Sequence, residues 1–441
     1  MNRPLLSYYG DDLTGSTDVM EALSSGGVPT VLFLSVPEER LLARFADHRA
    51  FGIAGTSRSE TPSWMDAHLP AVFEWLKTLG AEICHYKVCS TFDSSPTTGS
   101  IGRAIEIGSQ VFSQRTIPLV VGAPQLKRYT VFGNLFAAYR GYNYRIDRHP
   151  IMSRHPVTPM AEADLLIHLS HQTSLPASLV DIAALSAANV AEQAEQVALD
   201  GIMLFDVADL ETQRSVGEKI WHLAKRSGPF CCGSSGLEYA LLPVWARQGS
   251  ATRDANFAPL PPVERIAVVS GSVSPTTEAQ IRYAKNHGFE GIELDPLRLS
   301  SSDVGNLVDE AVHVGLKVLE SGSSVIYYTA LGPSADRSAE IDADPVARHN
   351  LGKRLGQILR EVVIKAQLNR TIVAGGDTSS HALGQLDVDA LTVRLPLPQS
   401  PGSPLCLAHS RVRAIDGLEI AMKGGQIGQD NYFCMIRDGS G

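Results

Sequence analysis

The chain has 441 residues, too many for one ordinary core, so two domains are expected. Hydrophobic residues make up 44% and charged residues 19%, which suits large buried cores and excludes a disordered chain. The net charge of −9 argues against sequence-independent nucleic-acid binding, which depends on neutralising phosphates, but leaves room for a small anionic ligand held by a few local cations and backbone N–H groups.

In chain order, strand-like runs alternate with helical ones, the pattern of an α/β protein with mainly parallel sheets. "PLLSYYG" (4–10) reads as a first strand, and "STDVMEALSSGG" (16–27) as a helix with polar residues at its start and two glycines at its end. "VPTVLFL" (28–34) and "AFGIAGTSRS" (50–59) read as strands, the second running into a loop. "WMDAHLPAVFEWLKTLG" (64–80) has the 3.6-residue apolar spacing of an amphipathic helix. "EICHYKVCSTFDSS" (82–95), "IPLVVGAP" (117–124) and "DGIMLFDV" (200–207) continue the strands. "CCGSSGLEYAL" (231–241) reads as a strand-to-helix turn without the G-x-S-x-G spacing of a hydrolase elbow. Residues 249–262 are small, polar and Pro-rich, and mark a linker between domains 1–248 and 263–441. A second α/β series follows: "RIAVVSGSVSP", "SSVIYYTAL", "TIVAGGDTSSHALGQL" and "LEIAMKGGQIGQDNYF".

Six scattered cysteines include no CxxC pair, so no metal site is expected and the thiols suit a reducing cytoplasm. The N-terminus turns acidic too soon for a signal peptide, and no apolar run approaches the ~20 residues that span a bilayer. A cytoplasmic protein with no membrane partner is expected.

In parallel α/β sheets, ligands bind beyond the carboxyl ends of the strands. Three such loops in the second half are built from small or hydroxyl residues: Ser270, Gly271, Ser272 and Ser274; Gly375, Gly376, Asp377 and Thr378; and Lys423, Gly424 and Gly425. Their backbone N–H groups can approach phosphate oxygens. No P-loop is present, and no GxGxxG opens a helix. In the first half, Asp11 and Asp12 end the first strand, Arg58 follows the third, and Lys87, Ser90, Thr91 and Asp93 follow the next. Cations here suit the carboxylate of a small polyhydroxy acid, and aspartates suit its hydroxyls. One aspartate at a helix start is commonly a cap, but two adjacent carboxylates exceed that need. His155, in "SRHPVTPM", is a further candidate substrate contact; Cys89 lacks a paired His, and His381 reads as capping or packing.

These loops together resemble the four-carbon acid sugar kinase family. The matches are "DDLTGSTD" (Asp11–Asp18), "YKVCSTFDSSPTTGSIG" (Tyr86–Gly102), "HPVTPM" (His155–Met160), "VVSGSVSPTTEAQI" (Val268–Ile281), "VAGGDTSSHALGQL" (Val373–Leu386) and "MKGGQIGQDNYF" (Met422–Phe433). The resemblance implies two α/β domains with ligand sites in the cleft between them, the acid sugar on the first and ATP on the second. It implies ATP-dependent phosphorylation of the terminal hydroxyl of an acid such as threonate, erythronate or 3-oxo-tetronate. It implies substrate contacts at Asp12, Arg58, Lys87, Ser90 and Thr91, and nucleotide contacts at Ser270 or Ser272, Gly375–Thr378, and Gly424 or Gly425. Asp11, Asp12 and Asp93 are alternatives for the base, and Mg²⁺ is expected to travel with the nucleotide. The chain departs from the family at "APQLKRYTVFGNLF" (123–136), where the glycine of a usual Gly-Arg-Thr is missing, and at Asp377, where many relatives have Glu. A non-catalytic sugar-acid sensor and a nicotinamide-dependent dehydrogenase are the alternatives, and a homodimer is the prior for the assembly.

Overall fold

The computed structural model of the chain describes residues 3–155, 157–186, 200–252, 255–341, 345–397 and 399–440. It forms two compact units, Met1–Ala255 and Asn256–Gly441, divided inside the Pro-rich 249–262 stretch.

In the first unit, β1 (Leu6–Gly10), β2 (Thr30–Phe33), β3 (Ala50–Ala54), β4 (Ile83–Lys87) and β5 (Thr116–Val120) belong to one parallel sheet. Next come β6 (Arg128–Val131), β7 (Asn134–Tyr139) and β8 (Tyr142–Arg145), which form a separate antiparallel sheet. Strands β9 (Ala177–Val180), β10 (Gly201–Phe205) and β11 (Phe230–Gly233) return to the main sheet, whose order is β2-β3-β1-β4-β11-β5-β10-β9. Strands β1, β4 and β5 are buried along their whole length, as expected where helices cover both faces of a parallel sheet. The chain leaves β1 toward β2 and β3 on one side and later inserts β4 on the other. The carboxyl ends of β3, β1 and β4 therefore meet at the topological switch point, where a ligand crevice is expected.

The first helix spans Leu13–Ser25, three residues earlier than the sequence pattern suggests. Asp12 is its N-cap and accepts the Gly15 N–H, so the polar Thr14–Thr17 run forms the first turns rather than a loop. The β6–β8 sheet was not foreseen. Its hairpins turn at Phe132–Gly133 and Arg140–Gly141, all at positive φ. The first turn is held by buried Asp206, whose carboxylate accepts the Phe132 and Gly133 N–H groups.

In the second unit, β12 (Ala267–Ser270), β13 (Phe289–Glu293), β14 (Ser324–Tyr328), β15 (Arg370–Ala374), β16 (Ala390–Leu395), β17 (Leu405–His409) and β18 (Glu419–Lys423) are ordered β13-β14-β12-β15-β18-β17-β16. The first five in that order run parallel, and β17 and β16 are antiparallel additions absent from the sequence reading. Val268, Ile326 and Ile372 pack with Phe433 and Ile436 of the C-terminal helix (Tyr432–Asp438), each side chain contributing about 1.5–3 kcal/mol by burial. Arg370, fully buried, bonds Glu419 and the carbonyls of Pro261 and Ile436, fastening that helix to the sheet. No helix among the described residues is long and apolar enough to cross a membrane.

Candidate active site

The first unit's switch point is built by three backbone contacts. Asp11 N donates to Lys87 O, Arg58 N donates to Asp11 O, and Gly55 N donates to Gly10 O, so the ends of β1, β3 and β4 are tied together before any side chain is considered. Asp11, Asp12, Arg58 and Lys87 thus converge, as the sequence suggested.

Arg58 is the hub. Its Nη1 donates to Asp12 Oδ2 at 2.6 Å, and its Nη2 donates to both Asp93 oxygens at 3.0 Å. Cys89, then Asp93, Asp12 and Asp11, hold the guanidinium well above its ordinary pKa against the opposing effect of burial. Asp93 also accepts from Thr91 at 2.5 Å and from Thr158 at 3.0 Å. Burial alone would push the Asp93 carboxyl up, but Arg58 and these hydrogen bonds bring it below its ordinary value. His155 reaches the same cluster through Thr158, whose N–H and hydroxyl both lie 3.1 Å from its Nδ1. Phe92, between Thr91 and Asp93, is buried with φ +56°, a left-handed conformation that costs roughly 1–2 kcal/mol for a side-chain-bearing residue. His168 braces this strained turn: its Nε2 lies 2.9 Å from Ser94 Oγ, and burial lowers its pKa to about 4, so it is neutral. Ser90 sits half-buried in the same turn.

Lys87 is 2% exposed. Burial disfavours its charge, but Asp18, Asp11, Cys89 and Asp12 outweigh that effect and raise its pKa. Gly15 leaves the space for its head group. A Cβ there would lie 2.8 Å from Lys87 Nζ and 2.6 Å from Asp12 Oδ1. One layer below, His85 Nδ1 lies 2.6 Å from Glu238 Oε1, with both side chains fully buried. His85 Nε2 lies 3.0 Å from Gly233 O, which can only accept, so that nitrogen carries a proton. Sequence reading missed this pair and Asp18; "HYK" and "GLEYAL" carry no spacing that links them.

Asp11 differs from its neighbours. It is 5% exposed, and its Oδ1 is sealed from solvent with no hydrogen-bond partner among the described residues. Burial first, then the Asp12 charge, pushes its carboxyl up to about 7, with Arg58 and Lys87 opposing.

In the second unit the three small-residue turns meet at the carboxyl ends of adjacent β12, β15 and β18. Gly271 N donates to Ala374 O and Gly375 N to Lys423 O. Ser270 and Ser272 brace the first turn by accepting the N–H groups of Ser272 and Ser274. Thr277 Oγ1 lies 3.1 Å from Ser272 Oγ and 3.0 Å from Gly425 O, and receives the Lys423 ammonium at 3.0 Å. Burial lowers the Lys423 pKa to about 8. Gly376 opens the helix Gly376–Gln385; the side chains of Asp377 and Thr378, in its first turn, lie outside the described residues. A cavity of about 360 Å³ runs along these turns, lined by Ser272, Thr329, Arg337, Arg348, Gly376 and His381, among others. Gly424 stands beside it, and Gly425 lines it with a hydrogen where a Cβ would lie 2.8 Å from Ser272 Oγ. Backbone N–H groups, hydroxyls and a helix N-terminus around one cavity fit the phosphates of a nucleotide. Arg337 and Arg348, which come from a segment with no glycine-rich signal, were not singled out from the sequence, and His381, read there as capping or packing, also lines the cavity.

Residues 6–241 match a sugar-binding N-terminal domain, and residues 267–433 match a nucleotide-binding C-terminal domain. The chain belongs to the four-carbon acid sugar kinase family. A 3-oxo-isoapionate kinase of Paraburkholderia graminis is 46% identical over 99% of this chain and 94% of its own length. A 3-oxo-tetronate kinase of Methylobacterium radiotolerans is 30% identical over 97% of each. Among solved structures, a Salmonella typhimurium protein described as a putative tRNA synthase superposes with a TM-score of 0.77 at 24% identity, covering 97% of each chain. A Haemophilus influenzae protein of the same family superposes at 0.74 with 22% identity, covering 98% of this chain and 99% of its own. At these identities the superpositions speak for the fold. This family member is a kinase, an α/β protein of two domains, and its relatives' names leave no support for the sensor and dehydrogenase alternatives.

Proposed function

We propose that this kinase uses ATP with Mg²⁺ to phosphorylate a terminal hydroxyl of a 3-oxo sugar acid of the 3-oxo-isoapionate or 3-oxo-tetronate type, with the acid on the first unit and the nucleotide on the second. The observation that carries the reading is Asp11. It is a buried carboxyl poised near neutrality, with an unpartnered oxygen, in the domain that matches a sugar-binding model. Bound ATP would supply the transferable phosphoryl group, and Mg²⁺ carried with it would screen the phosphate charge. Asp11 takes the acceptor hydroxyl's proton as that oxygen bonds to phosphorus and ADP leaves. Asp12, whose Oδ2 is held by Arg58, orients the same hydroxyl region, and Asp93 anchors Arg58. The Ser272, Gly375–Gly376 and Gly424–Gly425 turns hold the phosphates through backbone N–H groups and hydroxyls.

A coupled assay of ADP release with ATP and Mg²⁺, run against 3-oxo-isoapionate, 3-oxo-tetronate, threonate and erythronate, tests this directly. Acid-dependent turnover well above the no-acid background is expected with a 3-oxo acid. Turnover restricted to the reduced acids would overturn the substrate assignment, and none with any acid would overturn the reaction.

A further inference from the structure

A sugar acid brings a carboxylate, and the two cations first assigned to it are already matched. Both η-nitrogens of Arg58 are engaged by Asp12 and Asp93, and Lys87 is buried among Asp11, Asp12 and Asp18. A third cation lies on the same unit: Arg128, the first residue of β6, is paired with Ala123 just beyond the carboxyl end of β5. The Cys89 thiol, which bears electrostatically on Arg58 and Lys87, bears on Arg128 as well. Its Nη1 donates to the carbonyls of Leu126 and Lys127 at 3.0 and 3.2 Å, and its Nε is sealed from solvent with no hydrogen-bond partner among the described residues. No carboxylate among the described residues reaches it. Burial pulls its pKa down, which marks an uncompensated charge. Half-buried guanidinium groups are ordinarily paired, because a desolvated cation without a counter-charge destabilises the fold. His149, which Arg128 also faces, is no counter-ion: its Nδ1 accepts the N–H groups of Ile151 and Met152.

We propose that Arg128 is the residue that recognises the carboxylate of the sugar acid and so makes the kinase specific for acids over neutral sugars. The proposal rests on the sugar-acid kinase reading. The guanidinium fork matches a planar carboxylate, and its buried, uncompensated charge is what such an anion would neutralise. Arg128 is set in place by its loop. Lys127 holds φ +55°, and Arg128 N and O both bond Ala123, which pins the start of β6 against the exit of β5.

The test compares the full parental chain with Arg128→Gln and Arg128→Lys. Each is assayed on the best acid of the panel and on that acid's carboxamide, with ATP varied separately. In R128Q the KM for the acid is expected to rise on the order of a hundredfold. Its KM for ATP and its kcat should stay within a few-fold of the parent, because the lost contact is made equally in ground and transition states. The preference for acid over carboxamide should collapse, and R128K should recover part of it. The unliganded thermal midpoint of R128Q should match or exceed the parent's. Parental acid affinity and acid preference in R128Q would overturn the proposal. So would a lowered midpoint with acid and carboxamide equally impaired, the signature of a structural arginine. If the parent itself turns over no acid, the kinase reading fails instead. Calorimetric titration of the same acid into parent and R128Q then decides Arg128 alone, with equal affinity counting against it.

Discussion

Asp11 and Asp12 are adjacent in sequence, and the fold makes them chemically unlike. Asp12 caps a helix and pairs with Arg58; Asp11 turns inward, loses its water and keeps one oxygen without a partner. The raised Asp11 pKa has a sign that can be measured. The native protein holds a proton that the unfolded chain gives up between about pH 4 and about 7, so stability is full below that window and is lost as pH rises through it. Asp11→Asn removes the ionisation. At pH 8 it is expected to be more stable than the parent by about 1 kcal/mol or more, with the gap narrowing at pH 5, as read by urea unfolding. The same variant should lose about 10²–10⁴ in kcat, and the parent's kcat/KM should fall on the acid side of pH 7. An Asp11→Asn protein that is both active and no more stable would remove Asp11 from the role of base.

At the scale of elements, the site depends on turns that exclude side chains and on buried pairs that hold them. Gly425→Ala drives a Cβ to within 2.8 Å of Ser272 Oγ. The KM for ATP is expected to rise tenfold or more while acid affinity is unchanged, which isothermal titration of each ligand resolves. Glu238→Ala leaves His85 buried without its partner, and about 3–5 kcal/mol of stability should be lost in denaturant unfolding. Most of these turns were legible. "YYGDD", "TSRS" and "YKVCSTFD" each end an apolar strand with polar residues, and parallel topology brings such ends together. What was not legible is instructive. The β6–β8 sheet hides because its turns are Phe132-Gly133 and Arg140-Gly141, not the Asn-Gly or Asp-Gly that announce a hairpin. Phe132 accepts its left-handed backbone because Asp206, far along the chain, captures its N–H. The commitment of Arg58 and Lys87 to aspartates was equally hidden, since composition reports charges and only packing reports how they pair.

For the molecule as a whole, each unit is compact by itself and carries its own set of polar turns at the carboxyl ends of its parallel strands. Hydrogen exchange should therefore separate the two ligands. The sugar acid is expected to protect 10–15, 56–60 and 87–95, and ATP to protect 271–276 and 424–426. Either ligand at a hundredfold excess over its Kd should add about 2.7 kcal/mol to the stability of what it binds. An acid that protects only the second set would reverse the assignment of units. The β6–β8 sheet adds a last consequence. It is a pendant element, joined to the main fold at Ala123–Arg128, Thr130–Val207 and Asn134–Asp164, while every aspartate of the reacting centre lies on the parallel sheet's own loops. On the proposed roles of Arg128 and Asp11, selectivity and chemistry would reside on separable parts. A lineage, or an engineer, can rewrite the hairpin to admit a new acid while the phosphoryl-transfer apparatus stays untouched, as one changes the jaw of a tool and keeps its handle.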